Sequence, residues 1–160
     1  MRIRKIRADD VGSITRIVHN IMGPKDAKMA LYDIRETIAK KRASPFKFEE
    51  FYVIEINGNI VGAGGVWALR HDPFLARLDW FVIDPNYQRK GIGTILIRFL
   101  ENLLKKRKIR IVLAETSGGE HYEAAVKFWA KNGFKEVAKI SNYWEDGSPC
   151  LYFIKHLKRD

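Results

Sequence analysis

The sequence predicts an α/β fold: a mixed, mostly antiparallel sheet with helices on both faces, in the order β-α-α-β-β-β-α-β-α-β-β. Three observations predict it. Apolar residues recur at helical spacing in separate stretches of the chain. Two β-branched and aromatic runs meet at Asn57-Gly58, a hairpin signal because both central residues of a type I′ turn need positive φ. A strand, loop, helix and second strand follow one another from Leu78 to Ala114, and that succession requires a crossover.

The elements follow in order. Ile3 to Ile6 reads as a short strand. Asp9 or Asp10 then caps a helix whose buried face is Val11, Ile14, Ile17, Val18 and Ile21. Gly23-Pro24 breaks it. A second helix starts near Asp26, with Ala27, Ala30, Leu31, Ile34 and Ile38 on one stripe and a charged face ending in Lys40-Lys41-Arg42. Phe51 to Ile56 and the run from Ile60 form the hairpin. Leu78 to Ile83 is a strand stopped by Asp84-Pro85. Ile92, Ile95, Leu96, Phe99, Leu103 and Leu104 line a long helix that ends in basic residues, where cations complement the helix dipole. Ile109 to Ala114 is a buried strand. Tyr122 to Asn132 is helical, with Gly133 suited to the left-handed position after its end. Lys135 to Ser141 and Leu151 to His156 are the last strands, joined by a turn at Asp146-Gly147-Ser148-Pro149.

At 160 residues the chain is expected to form a single domain spanning 1–160, with no repeat or linker to divide it. A hydrophobic fraction of 46% with 30% charge is globular and excludes intrinsic disorder. Ile60 to Leu69, the longest mostly apolar run, contains three glycines and is too short to cross a bilayer. The segment Met1 to Arg7 carries charge where a signal peptide needs an apolar stretch, so a cytoplasmic protein with no membrane partner is expected. One cysteine excludes a disulfide framework and a Cys-rich zinc site, and the four histidines have no metal spacing, so no metal is expected. Lys plus Arg number 29 against 19 Asp plus Glu, and the resulting +10 favours anionic partners without choosing among them. A single Gln and a single Cys lean toward a thermophilic source.

The richest chemical signal lies between Val82 and Thr94. A buried strand ends, a polar loop follows, and a helix starts inside the pair Gly91 and Gly93. Backbone N–H groups at such a helix start point one way, with the positive end of the dipole behind them, which suits a pyrophosphate. Arg89 and Lys90 add charge at the rim. A Walker A loop is absent, and Leu96 stands where a dinucleotide fingerprint needs its third glycine. An ordinary helix start with flexible glycines is the alternative.

What surrounds the loop narrows the choice. Asp84-Pro85-x-Tyr87 and Gln88-Arg89-Lys90-Gly91-Ile92-Gly93 precede the long helix, the next strand runs to Glu115, and Phe128-Trp129-Ala130-Lys131-Asn132-Gly133-Phe134 follows. This resembles the GNAT superfamily of acyl-CoA-dependent N-acyltransferases over nearly the whole chain. The loop is similar to the family's Q/R-x-x-G-x-G/A motif and the late helix to its A-x-x-F-Y-x-x-x-G-F pattern.

The resemblance implies an acetyl-CoA-dependent N-acetyltransferase acting on a primary amine, of a small molecule or a protein, by direct attack in a ternary complex. It implies that Phe81, Val82 and Ile83 splay from their neighbour strand and offer backbone groups to the pantetheine arm, with the Val82 N–H on the thioester oxygen. Arg89, Lys90, Gly91, Ile92, Gly93 and Thr94 would wrap the pyrophosphate, and Phe128 and Trp129 would lie along the arm. Glu115 falls where several members carry a general base, needed because the amine must lose a proton before it attacks. Where other members have a Glu on the preceding strand, this chain has Arg77, and Asp79 on the same strand face is the second base candidate. The family's usual acid is a Tyr, replaced here by Trp129, whose indole has no proton to give at neutral pH. Tyr122, Tyr143 or water serves instead, or the thiolate leaves without a dedicated acid.

Plainer readings stand beside these. Glu115 is also read as a solvated strand end, Tyr122 and Tyr143 as packing aromatics, Cys150 as a small buried hydrophobe, and Lys105 to Arg110 as a solvated helix end. Trp67, Trp80, Trp129 and Trp144 are candidates to line an acceptor pocket, with Trp80 read as packing a helix on the sheet. The rival from another class is a non-catalytic basic nucleic-acid-binding protein using the same fold. No nucleic-acid motif is visible, so nucleic acid is not an expected partner. A monomer or a homodimer is expected.

Overall fold

A computed structural model of the protein describes residues 1–39, 46–72 and 74–158. Its strands are β1 (Arg2–Lys5), β2 (Phe46–Ile56), β3 (Asn59–Leu69), β4 (Leu75–Ile83), β5 (Ile111–Ser117), β6 (Lys135–Ile140) and β7 (Cys150–His156). Its helices are α1 (Val11–Met22), α2 (Pro24–Ala39), α3 (Ile92–Lys106) and α4 (Glu123–Lys131). The predicted order is the observed one. The strands form one seven-stranded sheet, β1-β2-β3-β4-β5-β7-β6, and only β4 and β5 run parallel.

Each face carries its own core. On one, α1 and α2 bury Ile14, Ile17, Val18, Ala30 and Ile34 against Phe51 and Val53 of β2, Ala63 of β3 and Val82 of β4. On the other, α3 presents Leu96, Ile97, Leu100 and Leu104 to Ile54, Val66, Val112 and Phe153, and α4 adds Trp129. No residue of β5 or β7 belongs to the first core. Among the described residues, no helix is long and apolar enough to cross a membrane.

Element ends differ from the sequence reading by a few residues. α2 begins at Pro24, whose fixed φ suits a first helical position, and Gly23 turns the chain before it at φ 96°. β4 begins at Leu75, three residues earlier than read. A single 3₁₀ turn, Glu120–Tyr122, precedes α4, which makes Tyr122 its N-cap. The charged end of the second helix, Lys40-Lys41-Arg42, lies outside the described residues.

Asp10 is a buried ion-pair partner more than a cap. Its carboxylate accepts from Arg4 Nη1 at 2.6 Å and Nη2 at 2.8 Å and from the Arg7 backbone N–H at 2.7 Å. Arg4 also donates through Nε to Glu55 at 2.9 Å. The Arg4 hydrogen bonds outweigh burial and hold Asp10 below the usual carboxylate range. The basic run after α3 is a correction to the sequence reading: it is only partly solvated. Arg107 pairs with Glu50 at 2.6 Å and lies 4.4 Å over the Phe48 ring, and Arg110 stacks 3.9 Å over Phe74.

Candidate active site

The site grows from a defect in the sheet. β4 pairs in parallel with β5 at Leu75↔Ile111, Ala76↔Val112 and Arg77↔Leu113, and there the ladder ends. Beyond it the two strands part, while β4 stays paired to β3 as far as Ile83. The β3–β4 register shifts between Ala63↔Val82 and Gly65↔Asp79, so Trp80 and Phe81 together oppose Gly64. This bulge puts Trp80 at φ 40°, a sparsely populated conformation for an aromatic residue that its surroundings hold in place. Its indole N–H donates to Asp33 of α2 at 3.2 Å.

The bulge decides which face each residue meets. Simple alternation would set Asp79 and Phe81 on one face. Instead Trp80 and Val82 join the core under α1 and α2, and Phe81 crosses to the α3–α4 side. There its ring lies 5.4 Å from Phe128 and 5.3 Å from Trp129. Trp129 is buried in this aromatic cluster, also 5.1 Å from Phe134.

Backbone direction along β4 follows from one bond: the Asp84 N–H donates to the Val61 carbonyl at 2.9 Å. In an antiparallel pair the residues alternate between those bonded to the neighbour and those facing away. Counting back in register, Val82 turns its N–H to Ala63 of β3, and Phe81 and Ile83 turn theirs to the gap left by β5. The expected thioester donor, Val82, is therefore corrected: the open groups belong to Phe81 and Ile83.

The loop after β4 is ordered by its own side chains. Gln88 donates from its side chain to the Ile83 carbonyl at 3.0 Å, and Asp84 accepts from the Asn86 N–H at 2.9 Å, which fixes the turn. Arg89 and Gly91 take positive φ, 60° and 78°. Ile92, Gly93 and Thr94 open α3, so their N–H groups have no intrahelical acceptor. No bond to a described residue uses the N–H of Arg89, Lys90 or Gly91. A Cβ on Gly91 would meet nothing within 4 Å, so that side of the loop is open.

Where β4 and β5 diverge, a pocket is lined by Trp67, Arg77, Leu78, Asp79, Leu113 and Glu115. Burial and the neighbouring carboxylates of Asp33, Glu49 and Glu115 push the Asp79 carboxyl up to about 7, against the backbone N–H of Trp80. Glu115, exposed on β5, stands directly across from Tyr152 of β7. Burial and the Glu115 and Cys150 neighbours raise the Tyr152 hydroxyl above its ordinary range.

The other named side chains take separate places. Tyr122 is half-buried, and burial with Asp26 and Asp146 nearby raises its hydroxyl. Tyr143 is exposed in the loop between β6 and β7, edge-on to Trp144 at 4.8 Å. That loop is tied to α2 by the Lys25–Glu145 ion pair, and His121 lies 3.3 Å from the Ile21 carbonyl of α1. Cys150 is fully buried, and burial raises its thiol, as suits a small packed hydrophobe. Sequence reasoning missed Tyr152 and Asp33. Strand alternation from Cys150 offered a signal for Tyr152, but nothing local offered one for Asp33, which meets β4 only through helix packing.

A profile of the Acetyltransferase (GNAT) family matches residues 24–134. The chain belongs to that family. The S-(2-succino)cysteine N-acetyltransferase of Bacillus subtilis is 23% identical over 113 residues, covering 68% of this chain and 67% of that one. Among solved structures, a protein described as a GNAT-family acetyltransferase from Desulfovibrio desulfuricans superposes at TM-score 0.87 with 19% identity, over 98% of this chain and 99% of that one. An aminoglycoside 6′-N-acetyltransferase solved with coenzyme A superposes at TM-score 0.78 with 15% identity, over 100% of this chain and 99% of that one. The protein is an acetyl-CoA-dependent N-acetyltransferase, and its mixed sheet with helices on both faces is the GNAT fold.

Proposed function

We propose that this acetyltransferase binds acetyl-CoA across the loop 89–94 and the gap beside β4, and acetylates a primary amine that enters the pocket of Asp79 and Glu115. One observation carries the reading. The two carboxylates line one pocket at the point where the β4–β5 ladder ends, beside the outward N–H groups of Phe81 and Ile83.

The unpartnered N–H groups of residues 89–94 suit a pyrophosphate, and Phe81 and Ile83 suit an extended arm laid along β4. Acetyl-CoA supplies an activated acyl carbon: the amine's C–N bond forms as the C–S bond breaks. The Phe81 N–H donates to the thioester oxygen as charge develops there. Asp79 takes the proton that the amine loses, because a carboxyl held near 7 is matched to proton transfer at neutral pH. Glu115 draws the ammonium form into the pocket. The departing thiolate receives a proton from Tyr122, Tyr143 or Tyr152, or from water. A single thiol and a composition poor in Gln support a heat-adapted, cytoplasmic enzyme.

The test pairs calorimetry with kinetics. Acetyl-CoA should bind the wild type and Asp79→Asn alike, and the variant should lose roughly a hundredfold or more in kcat/KM. Full activity of Asp79→Asn and of Glu115→Gln would remove the carboxylates from the mechanism.

A further inference from the structure

The pocket holds a third charged side chain that the proposed chemistry does not use. Arg77 lies in one row across the sheet with Trp67 of β3 and Leu113 of β5. Its guanidinium carbon lies 5.3 Å over the Trp67 ring centroid, on the β3 side of the pocket. Asp79 and Glu115 line the same pocket, yet Arg77 forms no ion pair and no side-chain hydrogen bond among the described residues. Two other arginines, by contrast, are paired: Arg4 with Asp10 and Glu55, and Arg107 with Glu50.

A guanidinium without a hydrogen-bond partner keeps its edge free, and that edge is a fork of donors matched to a carboxylate in two parallel hydrogen bonds. In a pocket already holding two acids, an unpaired arginine is ready for an incoming anion. Arg77 and Asp79 are two residues apart on one strand face, about 6.5–7 Å between Cα atoms. Both side chains line one pocket, where a small zwitterion can meet the two charges at once.

We propose that Arg77 binds the carboxylate of the acceptor, and that the acceptor is an amino-acid-like amine rather than a carboxylate-free polyamine. Trp67 lies under the guanidinium, and Asp79 and Glu115 receive the ammonium end. The inference rests on the acetyltransferase reading above and adds the acceptor's chemical class.

The experiment measures CoA release with a set of L-amino acids, the carboxamide of each, and spermidine as the carboxylate-free amine. Wild type should turn over at least one free amino acid about tenfold or more better in kcat/KM than its carboxamide. Arg77→Gln should remove that preference, lowering kcat/KM for the free acid by about tenfold or more, mainly through KM, and leaving the carboxamide within about twofold. Arg77→Lys, which keeps the charge and loses the fork, should fall between. Equal loss on acid and carboxamide would mean that Arg77 only supports the fold and would overturn the proposal. So would turnover of spermidine or carboxamides with free acids refused. Calorimetry separates the levels: acetyl-CoA bound with no free acid turned over rejects the acceptor class alone, and no acetyl-CoA binding rejects the reading beneath it.

Discussion

Gly93 and Phe128 are in contact across the start of α3: a Cβ built on Gly93 would come 3.0 Å from Phe128 Cε2. This glycine in the first turn of α3 borders the ring of α4 that lies against Phe81. The loop 89–94 and the aromatic cluster beside β4 thus meet at one side chain.

Gly93→Val is therefore expected to displace Phe128 and to weaken acetyl-CoA binding by about tenfold or more, measured by calorimetry on folded protein. Gly91→Ala meets open space but a positive φ, so its expected cost is about 1 kcal/mol of stability in denaturant unfolding. Unchanged acetyl-CoA affinity in Gly93→Val would uncouple the loop from the ring.

Asp79 predicts a stability profile as well as a rate effect. Its folded value near 7 lies above the ordinary 3.8, so the folded state holds this proton more tightly than the unfolded chain does. Stability from this group is complete below the unfolded value and is lost as pH rises toward the folded one. Asp79→Asn should flatten the Tm–pH curve between about 4 and 7 and melt higher than wild type at pH 8. A variant that melts lower than wild type at pH 8 would contradict the burial of a carboxylate there.

The acid role is settled by three single-atom deletions. Tyr122→Phe, Tyr143→Phe and Tyr152→Phe each remove one hydroxyl. If one is the acid, its kcat should fall roughly a hundredfold while the other two stay near wild type. Three active variants would leave the proton to water. Trp129→Phe should keep most activity, because the indole is packed among Phe81, Phe128 and Phe134 on the sheet face away from the carboxylates.

Arg4 and Asp10 bear on stability alone. Asp10→Ala leaves Arg4 half-unpaired in a part-buried site and should cost roughly 3 kcal/mol in urea unfolding. Asp10 has a lowered folded value, so its contribution is present above the unfolded carboxylate range and fades as the solution is acidified through the folded value. Acetyl-CoA affinity at neutral pH should be unchanged.

Most of the architecture was legible in the chain. Val11, Ile14, Ile17 and Val18 repeat at helical spacing, and all four are buried. Asn57-Gly58 joins β2 to β3 as a hairpin, with both residues at positive φ. The loop 89–94 was legible because glycines at a strand–helix junction have a local cause. Glu115 was legible as a charge ending an apolar strand.

What the sequence by itself determined is what depends on neighbours in the chain: periodicity, turn chemistry, the helix start that gathers N–H groups. What only the tertiary structure decided is the working geometry of β4. A strand's alternation predicts faces only while its register is unbroken, and the bulge at Trp80 and Phe81 breaks it. That break sends Phe81 to the aromatic cluster and Trp80 to the core under α1 and α2. The rise of Asp79 toward neutrality belongs to the same category, because Asp33, Glu49 and Glu115 come from three other elements. Electrostatic energy depends on distance in space and on exclusion of water, and neither is written in the spacing of residues along a chain.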